Sequence, residues 1–360
     1  MKATILNDIH IGTQRQAGTT PASQAALKEF INAQFRSLVH RPGHGMVIIN
    51  GDLFDRFTVD TADILAAYDT LAEYIKAGGR LALCAGNHDS SAKAGKVSSF
   101  DFLAHLLASR FPQQVQVITH ACGLTGVLGM KNTWAIPHML NQALFDLEIG
   151  KAAGMAAEGQ FLLLHCNVES PFAEHADHSL NLDGGQIERL LDAGWTLIVG
   201  HEHQSRSLYG GRVLVTGNQI PSSVADCLNN PGNKKQHVVL VEAGNGLEWT
   251  LRSTVNLDDC FVQIDWRDIE QCDLATPAFI RVEGRASAAE AADMVAAVAR
   301  LRSRSDAFVI SNAVQVEGMA QMESLAEMSL ESVSRFDVLQ ALLEDMDERE
   351  QKTILSLLEG

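Results

Sequence analysis

The stretch Met-Val-Ile-Ile-Asn-Gly-Asp-Leu-Phe-Asp-Arg, residues 46–56, decides the fold of this chain. A short apolar run bounded by a turn signal predicts a buried β-strand. Gly51 suits a sharp turn out of that strand, because glycine adopts backbone conformations that other residues avoid. Asp52 is therefore expected at the carboxyl end of a strand, where open α/β sheets form their binding sites.

Four other β-like runs end in polar residues in the same way. The motifs are Asp8-Ile9-His10 after residues 3–6, Gly86-Asn87-His88-Asp89 after 81–85, His165 at the end of 161–165, and Gly200-His201-Glu202-His203 after 196–199. Five strands would thus deliver oxygen and nitrogen donors to one rim of a sheet.

These donors predict a metal centre. The candidate ligands are Asp8, His10, Asp52, Asn87, His165, His201 and His203. Carboxylate, amide and imidazole ligands without sulfur suit manganese first, with iron, zinc or magnesium as further candidates, and the set is large enough for two ions. Two divalent ions can clamp a phosphoryl group and supply hydroxide at neutral pH. His88 is a candidate general acid for the leaving oxygen, and Asp89 is a candidate to orient it.

Taken singly, each motif has an ordinary structural explanation. An Asp-x-His or Gly-Asp at a strand end is commonly a turn, Gly-His-Glu-His could be a surface turn, and a lone histidine is commonly a hydrogen-bonded core residue. All five in this order, each behind its own β-like run, are difficult to explain as structure alone.

The chain divides into three parts by pattern. Residues 1–255 alternate strands with helices and predict an α/β domain; the strands from Val213 onward have no helices between them and suggest antiparallel pairing at one edge. Residues 256–317 predict a small second α/β unit, with a helix over 287–302. Residues 318–360 predict an acidic helical segment with 3 basic and 10 acidic residues.

Composition narrows the class of protein. At 46% apolar and 20% charged residues, the chain is neither disordered nor a coiled coil, and its 360 residues suit more than one folded unit. The net charge is −16, with 19 Lys/Arg against 23 Asp/Glu (−4) in residues 1–255, and 9 against 21 (−12) beyond. We expect six reduced cysteines, no membrane partner and a cytoplasmic location, nucleoid-associated in a bacterium or phage-infected cell.

The order of the five motifs resembles the calcineurin-like metallophosphoesterase superfamily over residues 1–245. The resemblance implies an α/β fold in which a β-sandwich is flanked by helices. It implies that one ion is held by Asp8, His10, Asp52 and His203. It implies that a second is held by Asp52, Asn87, His165 and His201, with Asp52 bridging and His88 facing the scissile phosphate.

Within the superfamily, Asn-Asp-Ile-His-Ile-Gly at 7–12, Asn-Gly-Asp-Leu-Phe-Asp-Arg at 50–56 and Val-Thr-Gly-Asn-Gln-Ile-Pro-Ser-Ser at 215–223 resemble the SbcD-type nucleases. That likeness implies a DNA exonuclease that works as a homodimer with an SbcC-type ATPase in DNA end processing, repair or recombination, with endonuclease activity as a further expectation. It also implies that residues 256–317 form a capping domain and that the C-terminal helical segment docks on the ATPase.

Candidate contacts follow from this reading. Loop cations near the motifs could bind DNA phosphates: Arg15, Arg56, Lys93, Lys96 and Arg206. Apolar positions of the acidic segment could bind the ATPase: Phe336, Leu339, Leu342, Leu343, Ile354 and Leu355. For the cations the alternative is ordinary surface charge, and for the apolar stripe it is packing on the chain itself.

Two other functions remain open at this point. A small-substrate phosphodiesterase or phosphatase would share the whole motif set. A non-catalytic scaffold of the same fold would keep the shape for binding, although the intact ligand set and His88 argue against it.

Overall fold

The computed structural model describes residues 2–13, 18, 20–41, 45–90, 96–126, 128–170, 179–223, 226, 234–243, 246–256, 260–271, 278–304 and 307–316. The candidate DNA contacts Arg15 and Lys93, and the whole predicted segment 318–360 with its six candidate partner contacts, lie outside these residues. Among the helices described, none has the length and apolar character that crossing a membrane requires.

Nineteen strands and six α-helices are described. The strands are β1 Lys2–Leu6, β2 Met46–Asn50, β3 Arg80–Cys84, β4 Val115–Ile118, β5 Cys122–Gly123, β6 Thr133–Ala135, β7 Gln160–His165, β8 Asn167–Val168, β9 Asn181–Leu182, β10 Trp195–Gly200, β11 Arg206–Leu208, β12 Val213–Val215, β13 Lys234–Ala243, β14 Gly246–Asn256, β15 Phe261–Asp265, β16 Ala278–Glu283, β17 Arg285–Ala286, β18 Ala307–Asn312 and β19 Gln315–Val316. The helices are α1 Pro21–Val39, α2 Thr61–Lys76, α3 Ser99–Arg110, α4 Gln142–Ala153, α5 Gly184–Asp192 and α6 Ala291–Arg302.

Two six-stranded sheets form the main body. The first has the order β14-β13-β1-β2-β3-β4, and the second β11-β12-β10-β7-β6-β5. Strands β1 to β4 run parallel to one another, as do β6, β7, β10 and β12. Their carboxyl ends therefore come to a common edge in each sheet.

Alternation along each strand shows how the sheets stack. In β2, Met46 and Ile48 face the core between the two sheets, whereas Val47 and Ile49 face the core under α1, α2 and α3. In the second sheet β7 does the same, and its outer side packs in a core with residues of α4 and α5. Burying a Val or Ile side chain contributes about 1.5–3 kcal/mol, so strands with two buried faces favour this sandwich strongly. The mixed α/β fold predicted from the sequence, with sheets flanked by helices, is confirmed.

A smaller unit follows the sandwich. Strands β15, β16 and β18 form a parallel sheet with its own core, which includes α6 residues Met294 and Val298. Its other face adds Phe261 and Phe279 to the core under α1, where their rings lie 5.7 and 5.5 Å from the Phe30 ring. The strand–helix pattern predicted over 256–317 is thus present, although the three proposed domain boundaries stay predictions.

One local prediction is confirmed and another was wrong. The strands from Val213 onward do pair antiparallel at sheet edges, β12 with β11 in the second sheet and β13 with β14 in the first. On its other side β12 is parallel to β10. The helix predicted from 287 begins at Ala291, since residue 290 has a carboxylate that accepts hydrogen bonds from the Ser287 amide and hydroxyl.

Candidate metal centre

The metal-ligand motifs meet where the carboxyl ends of the two sheets come together. Asn50, at the end of β2, donates its side-chain amide to the Leu164 carbonyl of β7 at 2.9 Å. In return, His165 Nδ1 donates to the Asn50 carbonyl at 3.0 Å. This exchange joins the two sheets at the rim, directly beside the predicted ligands.

The first two motifs run side by side. The amide of Asp8 donates to the Gly51 carbonyl at 3.1 Å, and the amide of His10 donates to the Asp52 carbonyl at 3.1 Å. Backbone pairing continues to a parallel bridge between Ile11 and Phe54. The loop after β1 is therefore positioned by the loop after β2, although 40 residues separate them in sequence.

Backbone conformations at the site are unusual. Asp8, His10 and Asp52 have φ values of 51°, 54° and 50°, and His201 has 93°. Non-glycine residues seldom adopt this left-handed region, which costs of order 1–3 kcal/mol each and is concentrated at functional sites. The surrounding hydrogen bonds hold these four ligands in a conformation that isolated chain would avoid.

Two positions at the site require glycine, because the side chain of a candidate ligand lies against the backbone at each of them. A Cβ on Gly51 would overlap the ring of His165, and a Cβ on Gly86 would overlap the carboxylate of Asp52. Gly51 also has a φ of +94°. The glycines of these two motifs thus leave the space that two candidate ligands occupy.

The first ligand group consists of Asp8, His10 and His203. One potential ligand atom of each lies within 4.8 Å of the others. The Nε2 atoms of His10 and His203 face each other at 3.0 Å.

The second group consists of Asp52, His165 and His201, with Asn87 between the two rings. Asn87 Oδ1 lies 3.0 Å from His201 Nδ1 and 3.2 Å from His165 Nε2. His165 Nε2 lies 3.3 Å from Asp52 Oδ2. All seven residues predicted as ligands are therefore brought together. Which of them hold which ion, and the bridging role of Asp52, stay predictions.

The two groups adjoin each other. His165 Nε2, in the second group, lies 3.9 Å from Asp8 Oδ1, in the first. The amide of His201 donates to Asp8 Oδ2 at 3.0 Å. Two ions held in these groups would therefore be neighbours, as a two-metal site requires.

In each ligand group the carboxylates favour the protonated form of one histidine, His203 in the first group and His165 in the second. Burial opposes protonation of His165, but Asp52 raises the pKa of His165 to about 9. Burial also opposes ionisation of Asp52, but His165 holds the pKa of Asp52 well below its usual value. The second histidine in each group behaves oppositely: burial lowers the pKa of His10 well below 6.5 and that of His201 to about 3, with His203 and His165 adding to the respective effects.

The residues fit divalent ions. Asp8 Oδ1 is fully buried and accepts no hydrogen bond from any residue in the described part of the chain. A buried carboxylate oxygen without a donor is costly unless a cation compensates it. Imidazole nitrogens, carboxylates and an amide oxygen around it match manganese, iron or zinc.

His88 lies beside both groups. Its ring centroid is 5.0 Å from that of His10, and its Nε2 is 4.0 Å from Asp52 Oδ2. Nδ1 donates to the Asp55 carbonyl, so that Nε2 is the nitrogen left to face a substrate. Burial lowers the pKa of His88, but Asp52, Asp55 and Asp89 together outweigh burial, and the net shift of the pKa is upward.

Asp89 has different contacts from those that the sequence suggested. Its carboxylate accepts from the backbone amides of Leu53 at 3.2 Å, Phe54 at 3.0 Å and Gly86 at 3.1 Å. The Asp55 carbonyl, not Asp89, holds the His88 ring. Asp89 therefore ties the second motif to the third. Burial, reinforced by Asp52, raises its pKa to about 7.

Two acidic residues at the site were missed as candidates. Asp55 Oδ1 lies 3.9 Å from His10 Nδ1, and Asp55, His10 and His88 form a third group of potential ligands. Asp226 Oδ1 lies 3.0 Å from His203 Nδ1. The motif Gly-Asp-x-x-Asp could have indicated Asp55, whereas no local pattern marks Asp226, which lies 23 residues beyond its partner.

The candidate DNA contacts differ in what they touch. Arg206 donates to the Val168 carbonyl at 2.7 Å and pairs with Glu202 at 2.7 Å. Glu202 Oε1 also accepts from the Val168 amide at 2.7 Å, so Arg206 is engaged in bracing its own loop. Arg56 and Lys96 have exposed side chains.

Comparison with known proteins gives one match to a family. The family model described as calcineurin-like phosphoesterase matches residues 1–205, more than half of the chain. No curated protein matches the sequence.

Several solved structures are similar at low identity. A phosphopantetheinyl hydrolase from Mycobacterium tuberculosis is 12% identical with a TM-score of 0.37, over 60% of this chain and 89% of that one. A dimetal phosphatase from Danio rerio is 13% identical with a TM-score of 0.35, over 71% and 96%. A cold-active protein-tyrosine phosphatase of a psychrophilic Shewanella species is 13% identical with a TM-score of 0.35, over 71% and 80%. At these values none of the three bears on the substrate of this chain.

Proposed function

The chain belongs to the calcineurin-like phosphoesterase family, whose chemistry is metal-dependent phosphoester hydrolysis, and from that premise we propose that it is a DNA nuclease. Its substrate would be the phosphodiester backbone of DNA, which it would cut as an exonuclease, with endonuclease activity as a further expectation. The observation that carries the proposal is the pair of adjoining ligand groups with His88 at their side.

The chain has residues that could serve both the nucleophile and the leaving group of phosphodiester hydrolysis. Asp8, His10 and His203 would hold one ion, and Asp52, Asn87, His165 and His201 the other. Ions bound there would neutralise phosphate charge and provide a hydroxide nucleophile at neutral pH. His88 is fixed through Nδ1 by the Asp55 carbonyl, which leaves Nε2, 4.0 Å from Asp52 Oδ2, as the proton donor for the leaving oxygen.

DNA is favoured as the substrate class by sequence and charge. The segments at 7–12, 50–56 and 215–223 resemble SbcD-type nucleases. Residues 1–255 have a net charge of only −4, and bound ions would offset Asp8 and Asp52. Phosphate affinity could then come from the ions and from exposed cations such as Arg56 and Lys96.

The position of the smaller unit is consistent with a large substrate. A Cβ on Gly18, in the segment that follows the first motif, would lie 2.9 Å from the Val309 carbonyl of β18. The smaller unit thus lies next to the segment that follows the first motif of the metal centre. A capping role for residues 256–317 is part of the proposal.

The partners are also part of the proposal. We expect a homodimer that acts with an SbcC-type ATPase in the cytoplasm, at DNA ends. Removal of residues 329–360 should abolish copurification with such an ATPase but leave hydrolysis of bis-p-nitrophenyl phosphate unchanged. Loss of both would contradict the assignment of the segment to partner binding.

A small-substrate phosphodiesterase or phosphatase is the second candidate. Two observations favour this second candidate. The net charge of −16 disfavours binding of a polyanion such as DNA, and Arg206 already pairs with Glu202 instead of being available to a phosphate. A non-catalytic scaffold is disfavoured, since all seven predicted ligands and His88 converge.

An assay of manganese-dependent cleavage of end-labelled duplex and single-stranded DNA distinguishes the nuclease from the small-substrate enzyme. It would be run beside bis-p-nitrophenyl phosphate, with His88→Ala and Asp52→Ala. His105→Ala and Asp69→Ala, at exposed positions of α3 and α2, are matched controls. DNA cleavage lost only in the first pair supports the nuclease. Cleavage of the small diester alone, with DNA intact even after an SbcC-type ATPase is added, would favour the second candidate.

A further inference from the structure

His203 has its two ring nitrogens in different surroundings. Nε2 faces His10 Nε2 at 3.0 Å, within the first ligand group. Nδ1 donates to Asp226 Oδ1 at 3.0 Å, on the opposite side of the ring. A histidine ligand whose second nitrogen donates to a carboxylate is fixed in tautomer and orientation.

Asp226 is itself held firmly. Its Oδ2 accepts from the Ser222 amide and hydroxyl, both at 3.0 Å, and its own amide donates to Ser223 Oγ at 3.2 Å. The residue is 8% exposed. Because two donors of Ser222 hold its carboxylate and Ser223 accepts from its amide, the position of Asp226 is determined by the segment after β12 and not by His203 alone.

The same segment holds the backbone of His203. The Asn218 amide donates to the His203 carbonyl at 3.3 Å. Asn218 Oδ1 in turn accepts from the Nζ of Lys235, a lysine only 1% exposed. A buried cation needs nearby negative charge, and Lys235 lies close enough to Asp226 to help lower the pKa of its carboxyl.

We propose that Asp226 is a positioning residue for the first ion: it accepts the hydrogen bond from the Nδ1–H group of His203 and thereby keeps Nε2 as the lone-pair donor. Asn218 and Lys235 keep the supporting segment in place. The inference rests on the proposed metal-dependent function, but it does not depend on DNA being the substrate.

Calorimetric titration of the full chain with Mn²⁺ tests the inference without measuring catalysis. Asp226→Asn keeps the shape but loses the negative charge, and Asp226→Ala removes the acceptor. We expect one of two Mn²⁺ sites to weaken by about 10–100-fold in both variants, the usual cost of losing such a partner, while the second site is unchanged. Asp63→Asn is the matched control, because Asp63 is also buried but pairs with Lys28 at 2.7 Å.

A second measurement distinguishes positioning from general destabilisation. With ¹⁵N-histidine and Zn²⁺ in place of Mn²⁺, the Nδ1 proton of His203 should exchange slowly with water in the parent protein, because Asp226 accepts its hydrogen bond, and rapidly in Asp226→Ala. If Asp226→Ala does not fold, Asp226→Asn and Ser222→Ala carry the test, the latter with a smaller loss of affinity.

The failures are distinguishable. A parent protein that binds no Mn²⁺ overturns the proposed function. A parent that binds two ions, with folded Asp226 variants that bind both equally well, overturns only the role of Asp226.

Discussion

The Nε2 atoms of His10 and His203 lie 3.0 Å apart at the edge where the two sheets meet. One ring comes from the loop after β1 and the other from the loop after β10, so neither sheet alone could form the pair. Two imidazole nitrogens that face each other this closely, beside the buried oxygen of Asp8, make a site for a cation.

The number of bound ions should follow the two ligand groups. We expect two Mn²⁺ per chain, and about one in His10→Ala or in His201→Ala, because each substitution removes a ligand from only one group. Equilibrium dialysis followed by metal analysis gives the stoichiometry, with His105→Ala as the control. Loss of both ions in each single variant would mean that the groups act as one site.

Gly51→Ala should abolish metal binding, whereas Gly78→Ala should not. Gly51 and Gly78 have φ values of +94° and +97°, but only a Cβ at position 51 would overlap His165; no atom of the described residues lies within 4 Å of a Cβ at 78. Gly78→Ala should therefore cost only about 1–2 kcal/mol of unfolding free energy, from the left-handed conformation. Thermal unfolding and Mn²⁺ titration of the two variants separate backbone strain from overlap with the His165 ring. Equal losses of stability and of metal affinity in the two variants would contradict the close approach of Gly51 to His165.

The residues that were predicted from sequence are those with a local signal. Asp52, Asn87 and His201 each follow an apolar run and a glycine, and the parallel sheet brings such strand ends together. Asp226 could not be predicted, because its link to His203 depends on how the segment after β12 folds back. Asp89 was placed at the site but given the wrong contact, since spacing alone cannot show that three backbone amides converge on its carboxylate.

Metal affinity should rise with pH between about 6 and 9. In the metal-free protein the pKa values of His165 and His203 are raised to about 9 by their carboxylate partners, which outweigh burial, so an ion must displace protons at neutral pH. Mn²⁺ titrations in buffers of different ionisation enthalpy should therefore show proton release at pH 7. No buffer dependence would contradict protonation of these rings.

The stability of the metal-free protein should fall over the upper part of that range. A histidine with a folded-state pKa of about 9 and an unfolded value near 6.5 stabilises the fold fully below pH 6.5, and this contribution is lost as the pH approaches 9. Thermal unfolding with a chelator present should thus give a lower Tm at pH 9 than at pH 7, and the difference should shrink in saturating Mn²⁺. A Tm that rises over this range in the chelated protein would be the opposite result.

Asp89→Ala and His88→Ala should fail in different ways. Asp89 caps three buried backbone amides, and leaving them unpaired should cost about 1–3 kcal/mol for each, with loss of the metal site. His88→Ala should keep the Tm and both ions but lose hydrolysis. Calorimetric unfolding, Mn²⁺ stoichiometry and bis-p-nitrophenyl phosphate hydrolysis distinguish them. If Asp89→Ala were stable and bound both ions but were inactive, this result would support the role predicted from the sequence, in which Asp89 orients His88.

Arg56→Ala should separate DNA from small substrates. Arg56 follows Asp55, whose carbonyl holds the His88 ring, and its side chain is exposed, so in the proposed nuclease we expect it to contact a phosphate next to the scissile one. A lost phosphate contact should weaken DNA binding at every sequence and reduce the slope of log K against log salt by about one, while hydrolysis of bis-p-nitrophenyl phosphate stays unchanged. Arg110→Ala, an exposed arginine in the last turn of α3, is the matched control, and binding by fluorescence anisotropy over a salt series is the measurement. An unchanged slope in Arg56→Ala would assign the arginine to ordinary surface charge, and a loss of small-diester hydrolysis would instead place it in the metal centre.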